Sequence, residues 1–509
     1  SFSPFFLDYI SQQSSLQKFY NRFPRVENFK DQIKEKGDSF PESSRRILTE
    51  VLTSQYQELE KTSLVESNIN LLSDKKTFTI TTGHQLNIFT GPLYFIYKIV
   101  TVINTCKQLK KTYPEYNFVP VYWMASEDHD YDEIKYFRLY GKKYTWETNQ
   151  QGAVGHFDTK NIKDILDQLP GNIDVFRKAY LNHGTLSDAV RCYVNDLFGD
   201  QGLIVVDADH PQLKKLLTQV IEDDLFKHSP SKLVDKNTAE LNNLGYKTQV
   251  NAREVNFFYL EKGLRSRIEK DSNTFNVVDT DIQFTESEIK TLVQDHPERF
   301  SPNVILRPLY EEIILPNLAY IGGPAEVVYW LQLKSVFEYF NTPFPILMPR
   351  NFALIVPSTV QRKLEKTGLT ISDFFEDLDA IQKNWVLKFS ENNLSTSEEH
   401  KTVSNLFSEL QKRATNIDST LEKFLAAETK RAQSSLERIE KKMIRAEKRL
   451  HTDLFRQIEA VKNELFPNGN LQERTDNFLN FYQEDPTFIE KLLKDFDPFD
   501  FQFNVLNHA

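Results

Sequence analysis

Residues 77–98 read TFTITTGHQLNIFTGPLYFIYK, and the fold turns on this stretch. TFTITT is a β-branched run of the kind that fills a strand, and GHQLNIFTGP is rich in turn residues. From Tyr94 to Lys111 the apolar residues return at helical spacing, and NFVPVYWMAS (117–126) is a second buried-looking strand. Strand, loop, amphipathic helix and strand form one βαβ unit, which requires a parallel sheet with helices on its faces. Further strands are expected at GLIVVDAD (202–209), VNFFYL (255–260) and PILMP (345–349). A hairpin is expected within 136–148, and another in NFFYLEKGLRSRIEK (256–270). The reading is a doubly wound α/β core over 76–370, with insertions near 136–200 and 232–310. Residues 1–75 form a helical segment packed on that core.

Composition bounds the rest. The 509 residues hold 16 glycines, where ordinary usage would give roughly 36, and 39 phenylalanines. That balance excludes collagen-like and low-complexity chains and argues for large packed cores. The formal charge of −10 argues against a generally basic surface for nucleic acid. Only Cys106 and Cys192 are present, which excludes a disulfide framework and a thiolate zinc cluster. No run approaches the ~18 apolar residues of a membrane span, and SFSPFFLDYI lacks the features of a signal peptide. The expectation is a cytoplasmic protein that binds neither nucleic acid nor membrane.

Fourteen of the sixteen glycines lie at or before Gly323, and the chain beyond Pro357 reads as helix. The positions Leu436, Ile439, Met443, Ala446, Leu450, Leu454, Ile458, Val461 and Leu465 step by three and four, as a coiled-coil seam does. Leu406, Leu410, Ala414 and Ile417 supply a shorter partner. An antiparallel helical coiled coil over 371–466 follows, with a second arm of ~55 Å at the helical rise. Residues 467–509 are expected to dock back on the core.

Three loops could carry chemistry. The first holds Gly83, His84, Gln85, Asn87 and Gly91 between a strand and a helix, with Tyr94 and Lys98 one turn apart behind it. Crevices at the carboxyl ends of parallel strands bind ligands, and free amides at a helix start hold anions. His84 could neutralise a phosphate or move a proton. The second follows Trp123: Glu127, Asp128, His129 and Asp130 would be exposed, paired or ligated, and could bind magnesium or deprotonate an amine. The third joins Gly322, Gly323, Glu326 and Trp330 to Arg350 and Asn351, the arginine being suited to a carboxylate or phosphate. Ordinary turns, a solvated helix start and an ion-paired arginine would account for the same residues. Asp207/Asp209 and Arg265/Arg267 are weaker pairs.

Taken in order, TTGHQLNIFTGPLYFIYK, FVPVYWMASEDHDYDEI, GGPAEVVYWLQLK, IEKKMIRAEKR and LFPNGNLQERTDNFLNFY resemble the bacillithiol-biosynthesis cysteine-adding enzymes, the BshC family. The resemblance implies a Rossmann-like doubly wound parallel sheet with connecting insertions, and a coiled coil that makes a homodimer. It implies a ligase that joins cysteine by an amide bond to the amine of glucosaminyl malate. The core is similar to class I synthetase-like cysteine ligases, whose HxGH motif meets nucleotide phosphates. Gly83-His84-Gln85 takes that place here without the HxGH pattern, and residues 340–370 hold no KMSKS-like loop. On this reading His84, Asp128, His129 and Asp130 are the catalytic candidates. His84 and Lys98 take the anionic side, the acidic loop takes the amine or a metal, and Arg350 holds a carboxylate. Asn468, Gly469, Gln472 and Arg474 are candidates for a second nucleotide site. ATP or ADP, and magnesium, are the cofactors to be tested. A ligase or transferase acting on another amine, or a non-catalytic dimeric scaffold, are the other readings of the same residues.

Overall fold

The computed structural model describes residues 2–508. Its strands, in chain order, are β1 (Thr77–His84), β2 (Asn117–Met124), β3 (Tyr136–Leu139), β4 (Lys142–Thr145) and β5 (Ile204–Asp207). There follow β6 (Phe257–Glu261), β7 (Leu264–Asp271), β8 (Thr274–Val277), β9 (Gln283–Thr285), β10 (Phe300–Pro302), β11 (Asn317–Gly322), β12 (Ile346–Pro349), β13 (Phe352–Pro357) and β14 (Phe503–His508). Five of them make a parallel sheet in the order β12-β11-β1-β2-β5. β1 is central, and the chain runs outward to β5 on one side before returning through β11 to β12 on the other. The strand order therefore reverses between β1 and β11. A crevice opens at such a point, outside the carboxyl ends of the strands.

This is the doubly wound α/β core expected from the sequence, with one strand exchanged. VNFFYL does not join the parallel sheet. It enters a second, antiparallel sheet, β10-β6-β7-β8-β9, inserted between β5 and β11. The place in the core is taken by β11, whose NLAYIG follows the helix Arg307–Ile314 after a break at Pro316. The change from helix to strand is marked there only by Pro316 and Asn317, between the short apolar runs IIL and LAYI. The hairpin β3–β4 and the helices Asp174–Asn182 and Leu186–Phe198 occupy the insertion between β2 and β5.

Burial on both faces explains the composition of β1, where the first seven residues are buried. Its threonines need partners inside the protein. Thr79 and Thr81 donate to Asn317 Oδ1 at 3.2 and 2.9 Å, and Thr82 donates to the Ile321 carbonyl at 2.7 Å. Asn317 in turn donates to Glu312 at 2.6 Å, and Glu312 is paired with the buried Lys36 at 2.7 Å. This polar chain fixes the β1–β11 pairing and ties the helix Phe29–Ser39 to the sheet. Phe29, Ile33, Phe78, Ile80, Val102, Cys106 and Leu109 belong to the apolar cluster between them.

The chain divides into two compact units, 1–353 with 473–504, and 354–472 with 505–509. The first closes at Ala353 rather than near residue 370, and it contains the N-terminal helices and most of the final segment. That segment is anchored by polar bonds. Arg350 forms a buried two-pronged pair with Glu473, at 3.0 and 2.5 Å. Asn477 Nδ2 donates to the carbonyls of Phe89 and Gly91, both at 2.7 Å, and Asn104 donates to those of Leu493 and Phe496.

The second unit is helical. Ser397–Thr415 and Leu421–Leu450 lie together as a hairpin, and the chain breaks at His451 before Thr452–Leu465. The predicted seam is corrected here in two ways. It is not one uninterrupted arm, because His451 leaves helical geometry (φ −113°, ψ 30°). After the break, Phe455, Ile458, Val461 and Leu465 pack against Ser358–Thr367 and Leu378–Phe389. The buried face near the break also runs through Ile444 and Glu447, because Glu447 accepts from Ser390 and Asn392. Ile439 and Leu450 are consequently exposed, at 49% and 74%.

Removing one partner of a buried ion pair strands the other charge and costs about 3–5 kcal/mol. Glu473→Gln should therefore lower the urea midpoint of the sheet-bearing unit by that order, while Lys363→Gln, at a half-exposed pair with Glu464 in the helical unit, should leave it unchanged.

Candidate functional site

The crevice at the β1/β11 reversal is a cavity of about 640 Å³. Three chain segments build its walls: the loop after β1, the loop after β2, and the β11 turn into the helix Pro324–Trp330. The inserted antiparallel sheet closes it with Phe258, Arg265 and Arg267.

At the floor, Gly83 lets two side chains reach the end of β1. A Cβ there would lie 3.1 Å from Tyr320 Oη and 3.4 Å from an Arg307 nitrogen. Tyr320 donates to Glu326 at 2.8 Å, and the second oxygen of Glu326 accepts from the Gly323 amide at 2.7 Å and pairs with Lys98 at 2.6 Å. Burial raises the Glu326 carboxyl, but Lys98 and these hydrogen bonds outweigh it and hold it below the usual carboxylate range. Lys98 also donates to the Gly83 carbonyl at 2.8 Å. Arg307 is paired with Glu311 at 2.7 Å and lies over the rings of Tyr320 and Trp123.

His84 lies beside Tyr94 and Phe95, and its Nε2 is buried without a hydrogen-bond partner. Burial, then the charges of Lys98 and Arg350, push its pKa well below the ordinary value. The imidazole is therefore neutral at physiological pH. A neutral imidazole brings no charge to an anion, so of the two roles expected of His84 the neutralising one is not carried by this form; what it presents is an unpartnered Nε2.

The opposite wall is acidic. Asp128 caps its own loop, accepting from the amides of His129 and Asp130 at 2.7 and 3.3 Å, and takes a bond from Gln85 Nε2 at 3.0 Å. Gln85 also donates to Glu133 at 2.7 Å. Glu127 is held by Lys214, which donates as well to the Phe300 carbonyl at 2.7 Å. Burial raises Glu127, against the pull of Lys214. His129 Nδ1 meets Arg265 at 2.5 Å, and burial followed by that guanidinium lowers its pKa. Among the described residues no three His, Cys, Asp or Glu side chains are arranged to hold a metal ion.

Of the residues singled out in the sequence, Gly83, His84, Gln85, Tyr94, Lys98, Trp123, Glu127, Asp128, His129, Gly323, Glu326, Arg350 and Arg474 line this one cavity. Arg474 thus belongs here rather than to a second site. Arg350 reaches the lining but is spent on Glu473, and its guanidinium rests over Tyr94 and Phe352. The ion-paired reading of this arginine therefore holds for its two terminal nitrogens, and its Nε is left without a hydrogen-bond partner. Asp130 is exposed and outside the lining. Asn87 donates to the Glu133 carbonyl, and Gly91 (φ 62°) presses on Asn87, so both shape the loop. Gly322 makes room for Glu326, Trp330 stacks on Tyr320 at 4.4 Å, and Asn351 donates to the Asp497 carbonyl. In the helical unit, the Gln472 amide satisfies the backbone of Ile355 on both sides, while Asn468 and Gly469 are exposed.

Sequence reasoning missed Arg307, Tyr320 and Lys214 and undervalued Arg265 and Arg267. Arg307 and Tyr320 stand at a helix start and mid-strand, where no motif marks them. Arg265 and Arg267 alternate on one face of β7, a signal that was present.

Two family models cover the chain. One described as "Bacillithiol biosynthesis BshC, N-terminal Rossmann-like domain" matches residues 1–351, and one described as "Bacillithiol biosynthesis BshC, C-terminal coiled-coil domain" matches residues 353–508. The chain is similar to proteins named "Putative cysteine ligase BshC". The one from Flavobacterium psychrophilum is 42% identical over 100% of this chain and 98% of its own. That from Cytophaga hutchinsonii is 40% identical over 99% and 96%, and that from Chlorobaculum tepidum 31% over 97% and 94%.

The neutral His84 has a consequence for stability. Below pH 6.5 the unfolded chain binds a proton there that the folded chain refuses, so stability falls as pH falls. One such group contributes a slope of about 1.4 kcal/mol per pH unit. His84→Gln should remove that part of the acid destabilisation, measured by urea unfolding between pH 6.5 and 5.

Proposed function

This chain belongs to the BshC family of bacillithiol biosynthesis, and on that premise we propose that it is a ligase joining the carboxyl of cysteine to the amine of glucosaminyl malate. One observation carries the reading: a single cavity sets a carboxylate wall, Glu127 and Asp128, against a floor with the cations Lys98 and Arg307, with the neutral His84 among them.

An amide forms from an amine that has lost its proton and a carboxyl that has gained a leaving group. Asp128, at the mouth of the acidic loop, binds the ammonium and takes its proton, while the neutral His84 offers its unpartnered Nε2 as a hydrogen-bond acceptor. Gln85 orients Asp128 through its amide. The floor cations draw the anionic partner toward β1, and the Gly323 turn keeps Glu326 ionised, so that Lys98 stays charged beside it. The nitrogen then bonds to the carboxyl carbon, and the activated carboxyl oxygen departs. ATP would supply the activating group, with magnesium carried on its phosphates; Lys98, Arg307 and Arg474 are the residues that would meet them.

The homodimer belongs to the same proposal. The helical hairpin leaves Leu406, Ile417, Phe424, Ile439 and Leu450 exposed, an apolar set that a second copy would cover. Ile439→Glu with Leu450→Glu should convert a dimer to a monomer in sedimentation velocity; an unchanged dimer would place the contact elsewhere.

Purified protein with cysteine, glucosaminyl malate and ATP should yield a product of bacillithiol mass. No product with any nucleotide, together with bacillithiol persisting in a deletion strain, would overturn the assignment. Asp128→Asn should lower kcat/KM by roughly 10²-fold or more, as loss of a general base does, and His84→Ala should lower it as well, with the unfolding free energy of each kept within about 1 kcal/mol of the parent at pH 7. Full activity in both would remove this cavity from the reaction.

A further inference from the structure

Behind the acidic wall lies a cluster of charges that the proposed reaction does not use. The ends of β2 and β5 bring Asp207 and Asp209 close to Glu127. Each carboxylate faces a cation: Arg191 lies 3.8 Å from Asp207, His156 Nε2 lies 2.7 Å from Asp209, and Lys214 meets Glu127. Ser126 donates to Asp207, which also accepts from the Asp209 amide at 3.0 Å. Arg191 and Lys214 are buried, whereas the His156 side chain is 48% exposed.

The segment that carries His156 also grips the wall. The amide of Val154 donates to the Asp128 carbonyl at 2.7 Å, and that of Gly155 donates to the Ser126 carbonyl at 2.8 Å. These two bonds bracket Glu127. They require Gly155 itself, because a Cβ there would lie 2.6 Å from Ser126 Cβ and collide with Ser187. On its inner side the turn is held by Val154 and Phe157, both buried in the core, and by Ser187, which donates to the Gly155 carbonyl at 2.9 Å. Its outer fastening is the His156–Asp209 bond.

We propose that His156 is a positioning residue: through Asp209 it fastens the Val154–His156 turn, which holds the Ser126–Asp128 loop against the cavity. This role rests on reading Glu127 and Asp128 as the wall that faces the amine. The charged groups facing His156 are Asp209, Asp207 and Glu127, with Lys214 and His210 facing Asp209 from the helix start beside it. The hydrogen bond to Asp209 holds the imidazole above its ordinary value, against burial, and Asp207 and Glu127 add to it. The fastening is therefore complete when His156 is protonated and weakens as pH rises through its raised pKa. His156 is the one cation of the three that can be discharged near neutrality.

Two readouts test this on the full chain. Hydrogen exchange at the Val154 and Gly155 amides, followed by mass spectrometry across residues 150–158, should be at least ~10-fold faster in His156→Gln and in Asp209→Asn, with β1 unchanged. In the ligase assay, kcat/KM of the parent should fall on the alkaline side with the His156 titration. His156→Gln should be several-fold lower at pH 6.5 and lack that limb, and His156→Lys should retain activity to higher pH. Unchanged exchange in both variants, or an alkaline limb that survives in His156→Gln, would overturn the proposal. If the parent makes no product, the ligase reading falls, and the exchange measurement alone then decides the brace.

Discussion

The pair between Arg350 and Glu473 organises this protein. Two full charges removed from water cost several kcal/mol each unless both are fully matched, and here the carboxylate takes both prongs of the guanidinium. The pair fixes the end of β12 to the start of the final segment, so Asn477 arrives where it can hold the loop that follows β1. The same guanidinium faces Tyr94 and adds to the field that keeps His84 uncharged. Packing and chemistry thus share one cation. Burial and Lys98 contribute more to that field, so the pair is one of three influences on the residue at the centre of the site.

The cavity is divided by charge rather than by shape. Each acid on the floor is matched within the fold, Glu326 by Lys98 and Glu311 by Arg307, so the floor offers cations already held in place. The acidic wall is less settled: burial pushes Glu127 and Asp207 upward, and their counterions come from different helices. Groups with opposed environments a few residues apart are what acid–base chemistry needs.

Much of this was legible in the sequence, and for identifiable reasons. TFTITT, the helical spacing from Tyr94 and the strand before Glu127 are local patterns, and they gave the βαβ unit and two of the three loops directly. The third loop was found by its glycines, but the strand before it was not, since LAYI is a short apolar stretch with no alternation to separate strand from helix. Arg350 had two readings, a fork for a carboxylate or phosphate and an ion-paired arginine, and the structure shows the ion pair without the sequence having named its partner. Its partner lies 123 residues away, and no spacing rule reaches that far. The coiled-coil register slipped for a similar reason: Glu447 is buried by partners at Ser390 and Asn392, which a pattern of apolar residues cannot register.

The sheet-bearing unit is discontinuous: its first 353 residues are completed only by residues 473–504. During synthesis, β1 and β2 leave the ribosome with their loops unfastened, and the whole helical unit must follow before Glu473 and Asn477 exist to close them. Domains generally fold as they emerge, but here the crevice is withheld until the chain is nearly finished. A truncated product would carry the loops of the site without its geometry, so an incomplete chain is silent by construction.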